Sequence, residues 1–309
     1  MVYECTLSKE LQEQAKRELN EDPKRRNDDI EYIRKWIKKQ PHLHIRTDDY
    51  FILRFLRGCK FSLEKTKQKI DMHYTLKAMI PEWFQNRDPE DPKIREILKL
   101  GVMLPLKDAD DKGRRIIICR NSVYDPKEYT IDELTKAIYI LIDVFYEVDE
   151  IHQITGIVMI MDLKGTTAAH FLQFSPSAMK KSTVLWQDGY VTRNKCLHYL
   201  NVNSYFESMF KIFSVFLNEK MKSRIKMHGS DYEEIYKDIP KRIMPEEYGG
   251  EGGSMKELAE HWLKIIDSKR KWLLEDHKNT VDESKRPGKP KKSEDIFGID
   301  GSFRKLNVD

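Results

Sequence analysis

Apolar residues recur at helical spacing through the first hundred positions. In DDIEYIRKWIKK, Ile30, Ile33, Trp36 and Ile37 share one face, and Pro41 stops the run soon after. DDYFILRFLRG sets Phe51, Leu53, Phe55 and Leu56 in a short helix ended by Gly58. Ser62 is placed to cap a third helix, running to about Met79 before Pro81. KIREILKLG ends at Gly101. From residue 101 the period changes. VMLPL and RRIIICR read as strands joined by the turn-rich KDADDKG. Thr130-x-x-Glu133 has the form of a capping box, and the helix it opens runs to about Ile151. GIVMIM is apolar without alternation, as expected of a strand buried on both sides. SPSAMKKSTVLWQDGY reads as a helix, KCLHYLNV as a strand, and Ser254-x-x-Glu257 as the start of a final helix. Strands alternating with helices predict an α/β fold with a mostly parallel sheet and right-handed crossovers. The expected division is a helical domain over 1–95, an α/β domain over 96–253, and a carboxyl-terminal helix with a basic tail over 254–309. Within that tail, DESKRPGKPKKSED reads as a flexible linker.

One stretch breaks the amphipathic rule. After Ser204-x-x-Glu207, itself of capping-box form, Phe206, Met209, Phe210, Phe213 and Leu217 fall on one side of a helix. Tyr205, Ile212 and Phe216 cover much of the rest. A helix apolar nearly all round is expected to be covered on both sides. Lys220 and Arg224 follow at once, four apart and so on one helical face. Apolar surface beside paired cations suits a partner that is both greasy and anionic, and so points to lipid and membrane. Either half alone is commonplace: core in the first case, a solvated face in the second.

Composition narrows the remaining classes. The 309 residues are 39% hydrophobic and 34% charged, enough for a sizeable core. A net charge of +4 is too mild to imply nucleic acid, so any electrostatic role must come from local clusters. Cys5, Cys59, Cys119 and Cys196 are scattered without a C-x-x-C pair, which suits free thiols in a reducing cytosol. The first residues lack the build of a signal peptide, Val2 excludes myristoylation, and no apolar run approaches the roughly 20 residues that span a bilayer. The expectation is a cytoplasmic monomer that meets membranes reversibly from the water side. No G-x-S-x-G elbow and no P-loop is present. YGGEGG sits in a loop after Pro245, a poor fit for a dinucleotide site. His42 and His44 lack a third ligand nearby. Asp162, at the carboxyl end of a buried strand, is at least as well read as orienting the turn at Gly165. No metal, cofactor or nucleophile–base pair is expected. Arg54 and Arg57 read as internal salt-bridge partners.

Four co-linear segments, DDYFILRFLRGCKFSLEKT, GIVMIMDLKG, LNEKMKSRIKMHG and IMPEEYGGEGGSM, resemble the CRAL-TRIO lipid-binding family over about residues 10 to 275. The resemblance implies a non-catalytic carrier: a helical bundle, then an α/β domain whose sheet floors an apolar cavity closed by a mobile gate helix at about 202–217. It implies a ligand lining of Tyr139, Ile157, Met161, Phe171, Phe174, Leu185, Trp186 and Tyr190, closed from the gate by Phe206, Met209 and Phe213. It further implies a phosphoinositide site made of Arg193 and Lys195, two apart on an extended chain, with Lys220 and Arg224. Trp186 and Tyr139 add bulk where relatives carry smaller side chains, which reshapes the pocket. The ligand classes left open are a tocopherol, a retinoid, a carotenoid fragment, a sterol or a phospholipid acyl chain. The competing readings are a phosphoinositide-guided adaptor acting through residues 281–309 and an enzyme using Asp162 or His170.

Overall fold

A computed structural model describes residues 3–298, apart from the side chains of Ile212, Phe213 and Phe216. The chain opens with helices α1 (Lys9–Leu19) and α2 (Arg26–Lys38), a short strand β1 (Leu43–His44), then α3 (Asp49–Gly58) and α4 (Leu63–Met79). Ile30, Ile33 and Ile37 of α2 meet Phe51, Phe55 and Leu56 of α3 and Ile70 and Tyr74 of α4, giving this bundle its own core. Ser62 stands at the start of α4 but makes no side-chain cap. Gly58 marks a close approach: a Cβ there would lie 2.5 Å from Cβ of Val191, so the absent side chain lets α3 reach the second part of the fold. Arg57 cements that junction. Its buried guanidinium pairs with Glu21 at 2.8 Å and Glu150 at 2.6 Å and donates to Gln153 at 3.0 Å. Arg54 departs from expectation. It has no carboxylate partner among the described residues and lies over the rings of Phe51, Phe55 and Tyr146 at 5.5–5.7 Å.

Two short helices, α5 (Pro81–Phe84) and α6 (Pro92–Leu100), lead to the sheet. Strands β2 (Met103–Ala109) and β3 (Arg115–Arg120) form an antiparallel hairpin. From β3 the chain crosses through α7 (Ile131–Val148) and α8 (His152–Thr155) to β4 (Ile157–Asp162). Helices α9 (Ala168–Leu172) and α10 (Pro176–Val184) lead to β5 (Asn194–Leu200), and α11 (Ser204–Phe213) and α12 (Glu219–Lys222) to β6 (Ile225–Met227). The spatial order is β2-β3-β4-β5-β6, parallel from β3 onward. The capping box at Thr130 is made: the Glu133 N–H donates to its hydroxyl at 3.3 Å and its own N–H donates to the Glu133 carboxylate at 2.8 Å. The box at Ser254 opens α13 (Met255–Ser268), which continues into α14 (Arg270–Glu275). α7 ends at Val148, three residues short of the expected Ile151, because Asp149 already accepts from the His152 N–H to start the next turn.

The segment read as a flexible linker is a strap. β7 (Thr280–Val281) pairs antiparallel with β1, and α15 (Ser293–Phe297) buries Phe297 in the main core. Between them Arg286 and Lys291 each reach Asp71 of α4 at 2.7 Å. Burial raises the Asp71 carboxyl, but the hydrogen bonds from Arg286 and Lys291 outweigh it and hold the group at about 2. The charges that suggested solvation are spent on a partner far away in sequence.

Candidate functional site

The sheet register builds a floor. Cys119 of β3, Met161 of β4 and Tyr199 of β5 are neighbours across three strands and form one transverse row. One row below stand Met159 and Leu197, and one above stand Asn121 and Leu163, on the same side by the period of two. α7 supplies the facing wall with Leu134, Thr135, Ile138, Tyr139 and Ile142, a stripe at helical spacing. α10 adds Met179, Ser182 and Thr183. The chain then widens into a π-turn over Leu185–Gly189, which turns Trp186 and Gln187 to the space. The cover comes last: Phe206 and Met209 of α11 close one end, and Leu217 and Met221 close the other.

These surfaces enclose two adjoining lobes. The first, between β3–β5, α7 and Trp186, has a volume of about 230 Å³. The second, about 190 Å³, lies between Leu163, Phe171, Met179, Phe206 and Met209. Each exceeds the roughly 150 Å³ that accommodates a benzene ring. No Lys, Arg, Asp or Glu lines either lobe among the described residues.

Of the eleven residues expected to line the pocket, the structure brings seven to it: Tyr139, Met161, Phe171, Phe174, Trp186, Phe206 and Met209. Three lie elsewhere. Ile157 is fully buried at the start of β4, two residues short of the cavity row. Leu185 turns from the cavity toward Gly189, whose other close neighbour is Leu76 of α4. Tyr190 aims its hydroxyl at Asp143, 2.7 Å away, because a buried charge cluster sits behind it. In that cluster Lys77 and Arg87 pair with both Asp143 and Asp276 at 2.6–3.3 Å. The side chain of Phe213 lies outside the described residues. Most of the lining residues not foreseen are apolar, among them Met103, Leu134, Ile138, Ile142, Met159 and Leu197, and the polar ones include Asn121, Tyr124, Thr135 and Ser182. Alternation from RRIIICR could have reached Asn121 through Cys119.

The cover is held from its first turn. Asn203, not Ser204, is its cap: its side-chain oxygen accepts from the Phe206 N–H at 3.0 Å, and its amide donates to Thr166 at 3.0 Å. Phe206 is 1% exposed and packs on Tyr199, with ring centroids 4.5 Å apart. The outer face is not covered as the pattern predicted. Tyr205 is 54% and Val215 71% exposed, and Leu172 at the end of α9 is 83% exposed. No helix among the described residues is long and apolar enough to cross a membrane.

Beside the cover lie the expected cations. Arg193 donates to the Ile154 carbonyl and to Glu18 of α1, the latter at 2.8 Å, and Lys195 reaches the same carboxylate at 3.5 Å. Arg224 donates to the Asn194 carbonyl. Burial and then the charge of Arg193 lower the Lys195 ammonium, with Arg224 adding to the shift. Burial raises Glu18, but the hydrogen bonds from Arg193 and Gln14 and the Lys195 charge outweigh it, holding the group at about 2. The structure thus sets Arg193 and Lys195 on one carboxylate and Arg224 close enough to act on Lys195, with Lys220 exposed on α12. Asp162 is spent on the turn: it accepts from the Lys164 N–H, the Asn201 amide and the Tyr248 hydroxyl at 2.7–2.9 Å. His170 accepts from the Thr167 N–H and its other nitrogen faces the Tyr124 carbonyl. Among the described residues no three His, Cys, Asp or Glu side chains are grouped for a metal.

An apolar cavity over a sheet, closed by a short helical cover, is the build of a protein that holds a hydrophobic molecule. Residues 100–250 match the CRAL/TRIO domain, and residues 22–94 match the Pinta-like, UBA domain. The chain is 33% identical over 254 residues to the alpha-tocopherol transfer protein-like protein of Homo sapiens, spanning 82% of this chain and 73% of that one. It is 30% identical over 245 residues to Clavesin-2 of Rattus norvegicus, spanning 79% and 75%. The crystal structure of Sfh5 superposes with a TM-score of 0.51 at 11% identity, over 86% of this chain and 99% of that one, and so shares the fold. The chain belongs to the CRAL/TRIO family.

Proposed function

We propose that this protein binds a small hydrophobic ligand and transfers it between membranes, docking on phosphoinositide-bearing surfaces beside the cover. The observation that carries this reading is the charge-free two-lobed cavity closed by α11 and α12. The similarity to an alpha-tocopherol transfer protein-like protein supports it. Burying a methylene is worth ~0.8 kcal/mol, so a chain of about 12 carbons gains on the order of 10 kcal/mol against water. Release then needs an apolar acceptor and an open cover. A bilayer supplies the first, and insertion of exposed Tyr205, Val215 and Leu172 favours the second. The ligand-lining role rests with the seven residues above. Ile157, Leu185 and Tyr190 shape the walls from behind. Arg193, Lys195, Lys220 and Arg224 are the docking cations. Of the 281–309 segment that the adaptor reading uses, residues 281–298 include contacts to the body of the protein, and residues 299–309 lie outside the described residues.

The test is transfer. Extraction of the purified chain followed by mass spectrometry should release a hydrophobic molecule. Changing Lys220 and Arg224 to Ala should weaken binding to phosphoinositide vesicles by roughly 1 kcal/mol per cation and slow transfer, with ligand affinity unchanged. Equal transfer by the variant and the parent would remove the docking role.

A further inference from the structure

The two lobes share part of their lining, the waist, and its chemistry differs from that of the lobe ends. Among the described residues, Asn121, Met161, Phe174, Ser182 and Tyr199 line both lobes. Three of these five carry hydrogen-bonding side chains. Ser182 is engaged by the Tyr139 hydroxyl. The Asn121 amide and the buried Tyr199 hydroxyl have no hydrogen-bond partner among the described residues. Asn121 is half-buried and Tyr199 buried, so a ligand that fills the lobes shuts both groups from water, where they are costly to leave unpaired.

The second lobe offers nothing comparable. Its Thr166 hydroxyl donates to the Leu163 carbonyl, and both His170 nitrogens have partners. In the first lobe the Thr183 hydroxyl donates to the Met179 carbonyl and Gln187 accepts from Asn218. Tyr124 and Thr135 are the hydroxyls there without a partner among the described residues. The Tyr124 ring packs on His170 of the second lobe, with centroids 5.2 Å apart, and Thr135 stands on α7; neither lines both lobes.

We propose that the waist is a subsite for an uncharged hydrogen-bonding group in the middle of the ligand, with one apolar arm in each lobe. Asn121 supplies a donor and an acceptor, and the Tyr199 hydroxyl supplies a donor. A secondary alcohol, ketone or ester flanked by two hydrocarbon arms meets this arrangement. A carboxylate does not, because no cation lines either lobe to offset its burial. A chain with its hydroxyl at one end would lay its hydrocarbon across the waist and leave Asn121 and Tyr199 unpaired. This inference rests on the reading that the cavity holds a hydrophobic ligand.

The experiment uses the delipidated full chain and three probes of equal chain length: a mid-chain secondary alcohol, the terminal alcohol and the fatty acid. Occupancy is read by native mass spectrometry. The mid-chain alcohol should bind about tenfold more tightly than either other probe, the scale of one buried hydrogen bond. Asn121→Leu and Tyr199→Phe should each shrink the ratio of mid-chain to terminal-alcohol affinity toward one, and by more than Thr135→Val does. Equal binding of all three probes, a preference for the acid, or a larger loss from Thr135→Val than from Asn121→Leu overturns the waist subsite and leaves the carrier reading standing. Binding of none of them overturns both.

Discussion

Helix α7 serves two regions of opposite character. On one side, Asp143 joins Lys77, Arg87 and Asp276 in a buried cluster, with the Tyr190 hydroxyl donating to the same carboxylate. Burial alone would raise Asp143, but the two cations outweigh it and hold its carboxyl far below the usual carboxylate range. On the other side, Leu134, Ile138, Tyr139 and Ile142 face a space instead of atoms. The cover over that space buries Phe206 and leaves Tyr205 and Val215 in water. On the proposed function, the contrast separates a fixed junction from a cover that opens. The charged junction is balanced on every side, and loss of any member leaves a buried charge unpaired. The cover has unfilled volume beneath it and apolar side chains outside it, so opening it toward a bilayer sacrifices less packing.

The sharpest break is at the junction. Asp143→Ala should lower unfolding free energy by about 3–5 kcal/mol, measured by denaturant titration, because Lys77 and Arg87 lose a shared partner. A loss below about 1 kcal/mol would erase the distinction drawn here. Phe206→Ala is the matching change in the cover. Truncation of a Phe in a rigid core costs about 3–5 kcal/mol. Here the loss in global stability should be about half that or less, while bound ligand dissociates roughly tenfold faster. Stopped-flow release and denaturant titration on one sample separate the two effects.

A third test uses pH. His198 on β5 contacts His228 at 2.9 Å, which requires one nitrogen of the pair to be unprotonated, and His228 also faces Glu234 at 3.2 Å. Burial, and then the His228 charge with Lys226 and Arg114 against Asp238, lowers His198 from 6.5 to about 4. Between those values the unfolded chain binds the proton and the folded chain does not. Stability should therefore be fully present above pH 6.5, fall as pH drops toward about 4, and change little further on this account. Replacing His198 with Phe should flatten that slope in thermal melts across the window. The smallest effect is at the rim. Glu18→Gln removes the carboxylate beside Arg193 and Lys195 and should raise affinity for phosphoinositide vesicles by roughly fivefold, on the scale of 1 kcal/mol per charge.

Local signals were legible in the sequence where the cause is local. The boxes at Thr130 and Ser254 form as read, and GIVMIM is the buried central strand. Helical spacing put Phe206 and Met209 on one side of a helix, and the family resemblance implied that they and Tyr139 line a cavity, where the structure brings them. The failures have non-local causes. Leu185 and Tyr190 were misplaced because a π-turn re-aims the residues after α10, and because Tyr190 answers a charge cluster assembled from Lys77, Arg87, Asp143 and Asp276. Alternation puts Asn121 on the face of Cys119, but that this face borders a cavity follows from which strands lie side by side. Arg286 and Lys291 looked like solvated charge, since nothing near them in sequence reveals Asp71. The cap at Asn203 instead of Ser204 is a shift of one residue between two equally good capping types.

Amide hydrogen exchange of the ligand-loaded chain, with and without vesicles containing phosphoinositide, tests the contrast most directly. The account predicts that peptides over residues 204–222 change their exchange when vesicles are added, while peptides over residues 131–148 and 72–87 keep theirs. Unchanged exchange over 204–222 during measurable ligand transfer, or equal change in all three segments, would contradict it.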